Sequence, residues 1–242
     1  TLLLVTINHQ SLIATKANRV VRACAGRPVM EFGSRRAQGY DGALYGARAA
    51  YIGGCASTSC VMADRVFGIP VSGTMAHSWV QAFDSEYEAF AAYAAAYPDD
   101  CQLLVDTYNT LRCGIPNAIR ASREILEPRG KRLKAIRIDS GDLAYLSIRA
   151  REMLDEAGLT DCKITVSSAI DEYLIRDLLH QGAKVDSFGV GERLITSRAE
   201  PVFSGVYKLS AIESQGVMEP RMKLSDNPEK VTNPGEKEVF RL

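Results

Sequence analysis

The stretch AIRIDSGDLAYLSIRAREMLDEAGLTDCKITVSS, residues 135–168, decides the fold. Ala135–Ile138 is a short apolar run of strand length. Leu143–Ala157 follows with apolar residues at helical spacing, and Lys163–Val166 is a second strand-like run. Strand, helix and strand joined by short polar turns form a unit whose two strands must run parallel. The same rhythm extends both ways along the chain. Strand-like runs occur at Pro28–Phe32, Tyr51–Gly54, Ile69–Ser72, Gln102–Val105 and Val185–Val190, with helical patterns between most of them. With Leu143–Ala157, the clearest of these are Ser78–Tyr97 and Asp171–Gln181, and a helical stretch, Leu3–Cys24, opens the chain. Seven or eight such units can close into a barrel, so an α/β, TIM-like (β/α) barrel core is expected. Val206–Ile212 reads as one more strand. Asn227–Lys237, rich in Pro, Gly and charge, reads as an excursion over the surface, which makes residues 203–242 a β-rich addition.

Composition bounds the function. The chain has 242 residues, 46% hydrophobic and 24% charged, and its 29 Lys and Arg cancel its 29 Asp and Glu. A chain this long buries about 70% of its unfolded surface, so no disulfide or metal staple is needed. Zero net charge argues against a nucleic-acid partner or an anionic membrane surface, because both are held by a basic excess. The six cysteines form no C-x-x-C pair and lack zinc-ligand spacing, so free thiols and a cytoplasmic setting are expected. No run approaches ~18 apolar residues and no signal peptide opens the chain. Thr1 in place of Met implies a start inside a larger protein.

Polar clusters follow the strands. They are Glu31–Arg36, Gly73–Ser78, Asp106–Asn109, Arg137–Asp142, Ser167–Asp171 and Gly189–Glu192. In a parallel βα barrel the loops after the strands gather at one face, so these clusters should meet in one pocket. Gly189 and Gly191 either permit a tight turn or let backbone N–H groups cradle a phosphate. Arg35 and Arg36 are either a solvated pair or anion ligands. Arg137, inside an apolar strand, needs an internal carboxylate or a ligand's anion as partner. Asp106 and Asp139 serve either as helix N-caps or as ligands for Mg2+ and sugar hydroxyls. His9 and His180 lie in helical patterns and read as structural. His77 sits just past a strand end, with nucleophile, phosphoryl acceptor and general base as its possible roles.

Together EFGSRRAQG (residues 31–39), SGTMAHSWV (72–80), LVDTYNTL (104–111), RIDSGDL (137–143), FGVGERLITS (188–197) and GVYKL (205–209) resemble the nicotinate phosphoribosyltransferase family across nearly the whole chain. The resemblance implies an incomplete barrel, here residues 1–242, with the family's second domain largely missing because N- and C-terminal segments are absent. It implies transfer of phosphoribosyl from 5-phosphoribosyl diphosphate to nicotinate, with ATP hydrolysis coupled through a phosphohistidine, and a requirement for Mg2+. His77 matches that histidine, Thr74 a hydroxyl contacting nicotinate, and Arg137 the guanidinium on the nicotinate side. Phe32 would lie against the pyridine ring and Arg35 near the ribose phosphate. Asp106 and Asp139 would face the sugar and metal, and Gly189, Gly191 and Glu192 would receive the 5-phosphate on N–H groups. A homodimer is implied, with a neighbour's aromatic completing each pocket. Two positions depart from the pattern. Ala169 stands where the family carries an acid, leaving a ribose contact absent or supplied by Asp171, and Glu192 stands where Thr is common. The competing readings are a nicotinamide or quinolinate phosphoribosyltransferase and a non-catalytic ligand-binding barrel. Quinolinate, with two carboxylates, calls for more basic groups than Arg35, Arg36 and Arg137 supply.

Overall fold

The computed structural model describes residues 1–240. It divides into a larger unit, His9–Phe203, and a smaller one made of Thr1–Asn8 and the chain from Ser204 onward. The larger unit holds a parallel sheet of six strands: β1 (Val29–Glu31), β2 (Ser57–Thr58), β3 (Gln102–Leu104), β4 (Ala135–Ile138), β5 (Lys163–Val166) and β6 (Ser187–Val190). Their spatial order is β2-β1-β6-β5-β4-β3, with every pairing parallel. The last strand therefore lies beside the first, as a sheet requires when it curls back on itself. An isolated parallel bridge from Thr58 to Val71 extends the β2 edge. The strands then follow chain order around a curve with one open seam, between Val71 and β3.

Helices separate the strands. They are α1 (Leu2–Ala23), α2 (Gly39–Ile52), α3 (Val61–Phe67), α4 (His77–Gln81), α5 (Glu86–Ala96), α6 (Ile115–Ala121), α7 (Leu143–Glu156), α8 (Glu172–His180) and α9 (Glu192–Ile195). The core between sheet and helices is apolar and dry, with Phe90, Leu103, Leu104, Ile136, Ile138, Leu154 and Phe188 fully buried. One ion pair lies within it: Lys16 on α1 meets Glu172 on α8 at 2.5 Å, both side chains about 5% exposed or less. At the end of the strands away from the polar clusters, Arg27 and Arg151 donate to main-chain carbonyls of Cys24, Val185, Leu159 and Cys162. Arg151 also pairs with Asp155, one turn along α7, at 2.8 Å.

Several expected elements are placed differently. Tyr51–Gly54 is not a strand but the end of α2 and its following turn, because Leu44, Gly46, Ala47, Ala49 and Ala50 bury a helical face there. A short apolar run alone does not distinguish the two. Ile69–Ser72 contributes only the Val71 bridge. Ser78–Tyr97 is two helices, since Ser85 caps α5 by accepting from the Glu88 N–H, and Trp79 folds the pair together by donating to Ala89 O. In the smaller unit, Val206–Ile212 gives way to an antiparallel hairpin of β7 (Ala211–Ser214) and β8 (Val217–Pro220). Gln215 and Gly216 both have positive φ, as its two-residue turn requires. Among the described residues all cysteines are free, and no helix is long and apolar enough to cross a membrane.

Candidate active site

Alternation along β4 puts Arg137 and the following Asp139 on one face, and Ser167 reaches them from the end of β5. Arg137 is the hub. Its Nη2 donates to Asp139 Oδ1 at 2.7 Å, its Nε to Ser167 Oγ at 2.7 Å, and its Nη1 to Thr74 Oγ1 at 3.0 Å. The Ser167 hydroxyl closes the triangle on Asp139. Arg137 thus finds the internal carboxylate that its burial demands, yet its side chain keeps 18% of its surface exposed. Its guanidinium carbon lies 5.1 Å from the centre of the Phe32 ring. That ring fills the space a side chain at position 189 would take, because a Cβ on Gly189 would come within 2.5 Å of Phe32 Cδ2 and Cε2. Gly189 therefore seats the ring.

The two aspartates are joined. The Asp139 N–H donates to Asp106 Oδ2 at 2.9 Å and the Ser140 hydroxyl at 2.6 Å, so neither Asp106 nor Asp139 caps a helix; Asp142 caps α7 instead. Asp106 Oδ1 is buried and has no partner among the described residues. His77, the first residue of α4, bridges the open seam. Its Nδ1 lies 3.0 Å from Thr107 Oγ1, and its Nε2 lies 4.0 Å from both Asp106 Oδ1 and Asp139 Oδ2. The imidazole is 40% exposed, which leaves it open to a reactant.

Two cavities flank the Arg137–Phe32 pair. One of about 510 Å³ is bounded by Ser34, Ser59, Gly73–Ser78 and Leu104, and one of about 190 Å³ by Ser167–Ala169, Gly189, Gly191 and Glu192. Phe32, Arg35, Arg137 and Asp139 line both. Arg35 and Arg36 stand exposed at the mouth with no carboxylate within ion-pair reach among the described residues. Beyond β6, Gly191 and Glu192 at the start of α9 line the smaller cavity, and the leading N–H groups of this turn lie outside the helical ladder. Ser168, in the loop before Ala169, has φ +128°, a strained value for a residue with a Cβ.

The two departures resolve differently. Asp171 is occupied: it caps α8 through the Tyr173 and Leu174 N–H groups and accepts Arg193 Nη1 at 2.6 Å. Burial pushes this carboxyl up, but the Leu174 N–H and Arg193 outweigh it and hold the group below the usual range. Asp171 is thus committed to the start of α8 and to Arg193. The Glu192 carboxylate reaches Arg198 at 3.4 Å. Ser167, Thr107 and Ser140 lay within the polar clusters but carry no distinguishing chemistry alone. The strand alternation that aligns Ser167 with Arg137 was the available signal.

A family model described as the nicotinate phosphoribosyltransferase (NAPRTase) family matches residues 28–239. A nicotinate phosphoribosyltransferase of Bacillus subtilis (strain 168) is 53% identical over all of this chain and 49% of its own length. The human nicotinate phosphoribosyltransferase is 35% identical over 99% of the chain and 54% of its own length. Among solved structures, human nicotinic acid phosphoribosyltransferase superposes with a TM-score of 0.77 at 30% identity, covering 90% of this chain and 51% of that one. A nicotinate-nucleotide pyrophosphorylase from Pyrococcus furiosus superposes at 0.68 with 27% identity, covering 89% and 55%. The chain thus spans about half the length of these relatives.

Proposed function

The chain belongs to the nicotinate phosphoribosyltransferase family, and we propose that it carries the core of an enzyme joining nicotinate to 5-phosphoribosyl diphosphate. The products are nicotinate mononucleotide and pyrophosphate, the first step of NAD salvage from nicotinate, with ATP hydrolysis coupled through His77. The observation that carries the reading is Arg137, held on three sides while still lining two cavities. A guanidinium fixed in this way presents its remaining N–H groups to an incoming carboxylate at little reorganisation cost. One such group suits the single carboxylate of nicotinate better than the two of quinolinate.

Each residue then has a task. Phe32 supplies a flat apolar face for the pyridine ring, and Thr74 holds Arg137 from the ring side. Displacing pyrophosphate from the anomeric carbon builds positive charge on the sugar, which the Asp106 and Asp139 carboxylates stabilise. The N–H groups around Gly191 and Glu192 donate to the 5-phosphate, and Arg35 adds charge at the cavity mouth. Asp106 and Asp139 suit Mg2+, which takes one or two carboxylates and completes its shell with substrate phosphates and water; the unpartnered Asp106 Oδ1 is the oxygen it would use. When bound, the ion would offset phosphate charge beside these acids. A phosphoryl group on His77 adds roughly two negative charges next to both carboxylates, a change large enough to couple ATP to substrate binding.

The reading includes a TIM-like barrel with one open seam, family segments outside residues 1–242, and a cytoplasmic homodimer in which the neighbour completes the pocket. The test is turnover by the full-length protein, supplied with phosphoribosyl diphosphate, ATP and Mg2+ and each of nicotinate, nicotinamide and quinolinate. Nicotinate mononucleotide should form from nicotinate in large excess over the other products, with labelled γ-phosphate appearing on His77. Turnover of another pyridine in preference, or of none, would reject the reading.

A further inference from the structure

We propose that Glu31 is a positioning residue for the aromatic wall of the pocket: its carboxyl ties the Phe32–Gly33 turn to the Thr58–Cys60 loop and so fixes the Phe32 ring. The inference rests on the proposed function for Phe32's part in pyridine binding. Glu31 is fully buried and has no cationic partner among the described residues. Both its oxygens are instead used by neutral donors. Oε1 accepts the Gly33 N–H and Oε2 lies 2.6 Å from Thr58 Oγ1, which in turn accepts the Cys60 N–H at 3.0 Å. The Glu31 carbonyl accepts the Ser59 N–H at 2.8 Å. A buried carboxyl without a counter-charge is costly for a core, and an apolar side chain would pack there without that cost. What the carboxyl provides is a fixed join between two strand ends.

That join acts on the residue between its anchors. The Phe32 ring has no polar handle, so its direction is set by the backbone on either side. On one side the Phe32 N–H bonds Val190 O at 2.8 Å, and on the other Gly33 is held by Glu31. Position 33 has no room for a side chain, since a Cβ there would lie 2.5 Å from Ile195 Cβ and 2.8 Å from Glu31 Oε1. The ring so fixed lies between Gly189 and the Arg137 guanidinium, and Ser59 at the far end of the join lines the larger cavity. Burial pushes the Glu31 carboxyl up, outweighing the bonds from Thr58 and Gly33. A protonated carboxyl keeps both contacts, with Oε1 accepting from Gly33 and Oε2 donating to the rotatable Thr58 hydroxyl. Gln presents the same acceptor and donor.

The experiment compares Glu31→Gln, Glu31→Ala and Thr58→Val in the full-length protein, reading kcat, both KM values and amide exchange at Gly33. Glu31→Ala should raise KM for nicotinate roughly tenfold, the scale of one lost buried hydrogen-bonding group, with KM for phosphoribosyl diphosphate held within about twofold. Glu31→Gln should restore nicotinate KM and keep the Gly33 amide protected, while Thr58→Val falls between. If Glu31→Ala does not fold, the Gln and Val variants carry the comparison. An unchanged nicotinate KM in folded Glu31→Ala, an equal rise in both KM values, or Gln as damaging as Ala would overturn the proposal. Should the wild type form no mononucleotide, the functional reading fails separately. Gly33 exchange still decides the join: faster in Ala but not in Gln supports it, and equal rates overturn it.

Discussion

Arg137 is held on three sides by its own neighbours. Its charge is balanced by Asp139, its plane is set by Ser167 and Thr74, and Phe32 lies against its face. Such preorganisation matters because hydrogen-bond partners that need no rearrangement at the moment of reaction contribute most to the transition state. Replacing Arg137 with Ala would remove the proposed partner of the nicotinate carboxylate and leave Asp139 half-buried without its counter-charge. The cost of about 2–5 kcal/mol for such a truncation predicts a fall in kcat/KM for nicotinate of at least about thirtyfold. Arg137→Lys should recover little of it, since an ammonium cannot hold three partners in one plane. Steady-state kinetics with nicotinate as the varied substrate checks both variants. Thr74→Val, which removes one neutral partner, should cost less than either.

At the scale of the elements, the site is a consequence of parallel strands ending together. Every strand-end cluster read from the sequence, from Glu31 to Glu192, lies in the larger unit, at a strand or bridge end or in the loop or first helical turn that follows it. The clusters were legible because each changes abruptly from apolar strand to polar loop. The bonds among them were not, since Arg137 with Thr74 spans 63 residues and His77 with Thr107 spans 30. Nor did the sequence separate α2 from a strand at Tyr51, where helix and strand share the same apolar residues. Gly189 carried a phosphate-loop expectation and serves first to seat Phe32, a role only the ring's position reveals. Glu172 on α8 also ties the helices together, pairing with Lys16 at 2.5 Å and with Arg19 at 3.2 Å, both on α1. Lys16→Ala removes the buried cation but leaves Glu172 paired with the more exposed Arg19, so it should destabilise the protein by about 1–3 kcal/mol in denaturant titration. Replacing Lys16 and Glu172 with Met and Leu should recover most of that loss, because no buried charge remains and Arg19 keeps Glu200 at 3.5 Å.

For the molecule as a whole, a net charge of zero means that the proposed binding of anionic substrates would rest on local geometry. In the proposed reaction Arg35, Arg36 and Arg137 would supply the attraction at one end of the strands, while at the other end Arg27 donates to main-chain carbonyls and Arg151 to carbonyls and Asp155. The same division between core and surface governs the thiols. Burial pushes Cys24, Cys55, Cys101 and Cys162 up to about 12, so these four carry no thiolate near pH 8. Cys60 and Cys113 are partly exposed. A thiol reagent at pH 8 should therefore label these two in the folded protein and all six only after denaturation, as counted by mass spectrometry. The central claim is that one face of this sheet binds nicotinate through Arg137 and the ribose phosphate through the turn at Gly191. Its most direct test is a crystal structure of the full-length protein with nicotinate mononucleotide bound. The account predicts the pyridine carboxylate at about 2.7–3.2 Å from the Arg137 guanidinium, the ring against Phe32 and the phosphate on the Gly191 and Glu192 N–H groups. A carboxylate turned away from Arg137, or a phosphate bound elsewhere, would contradict it.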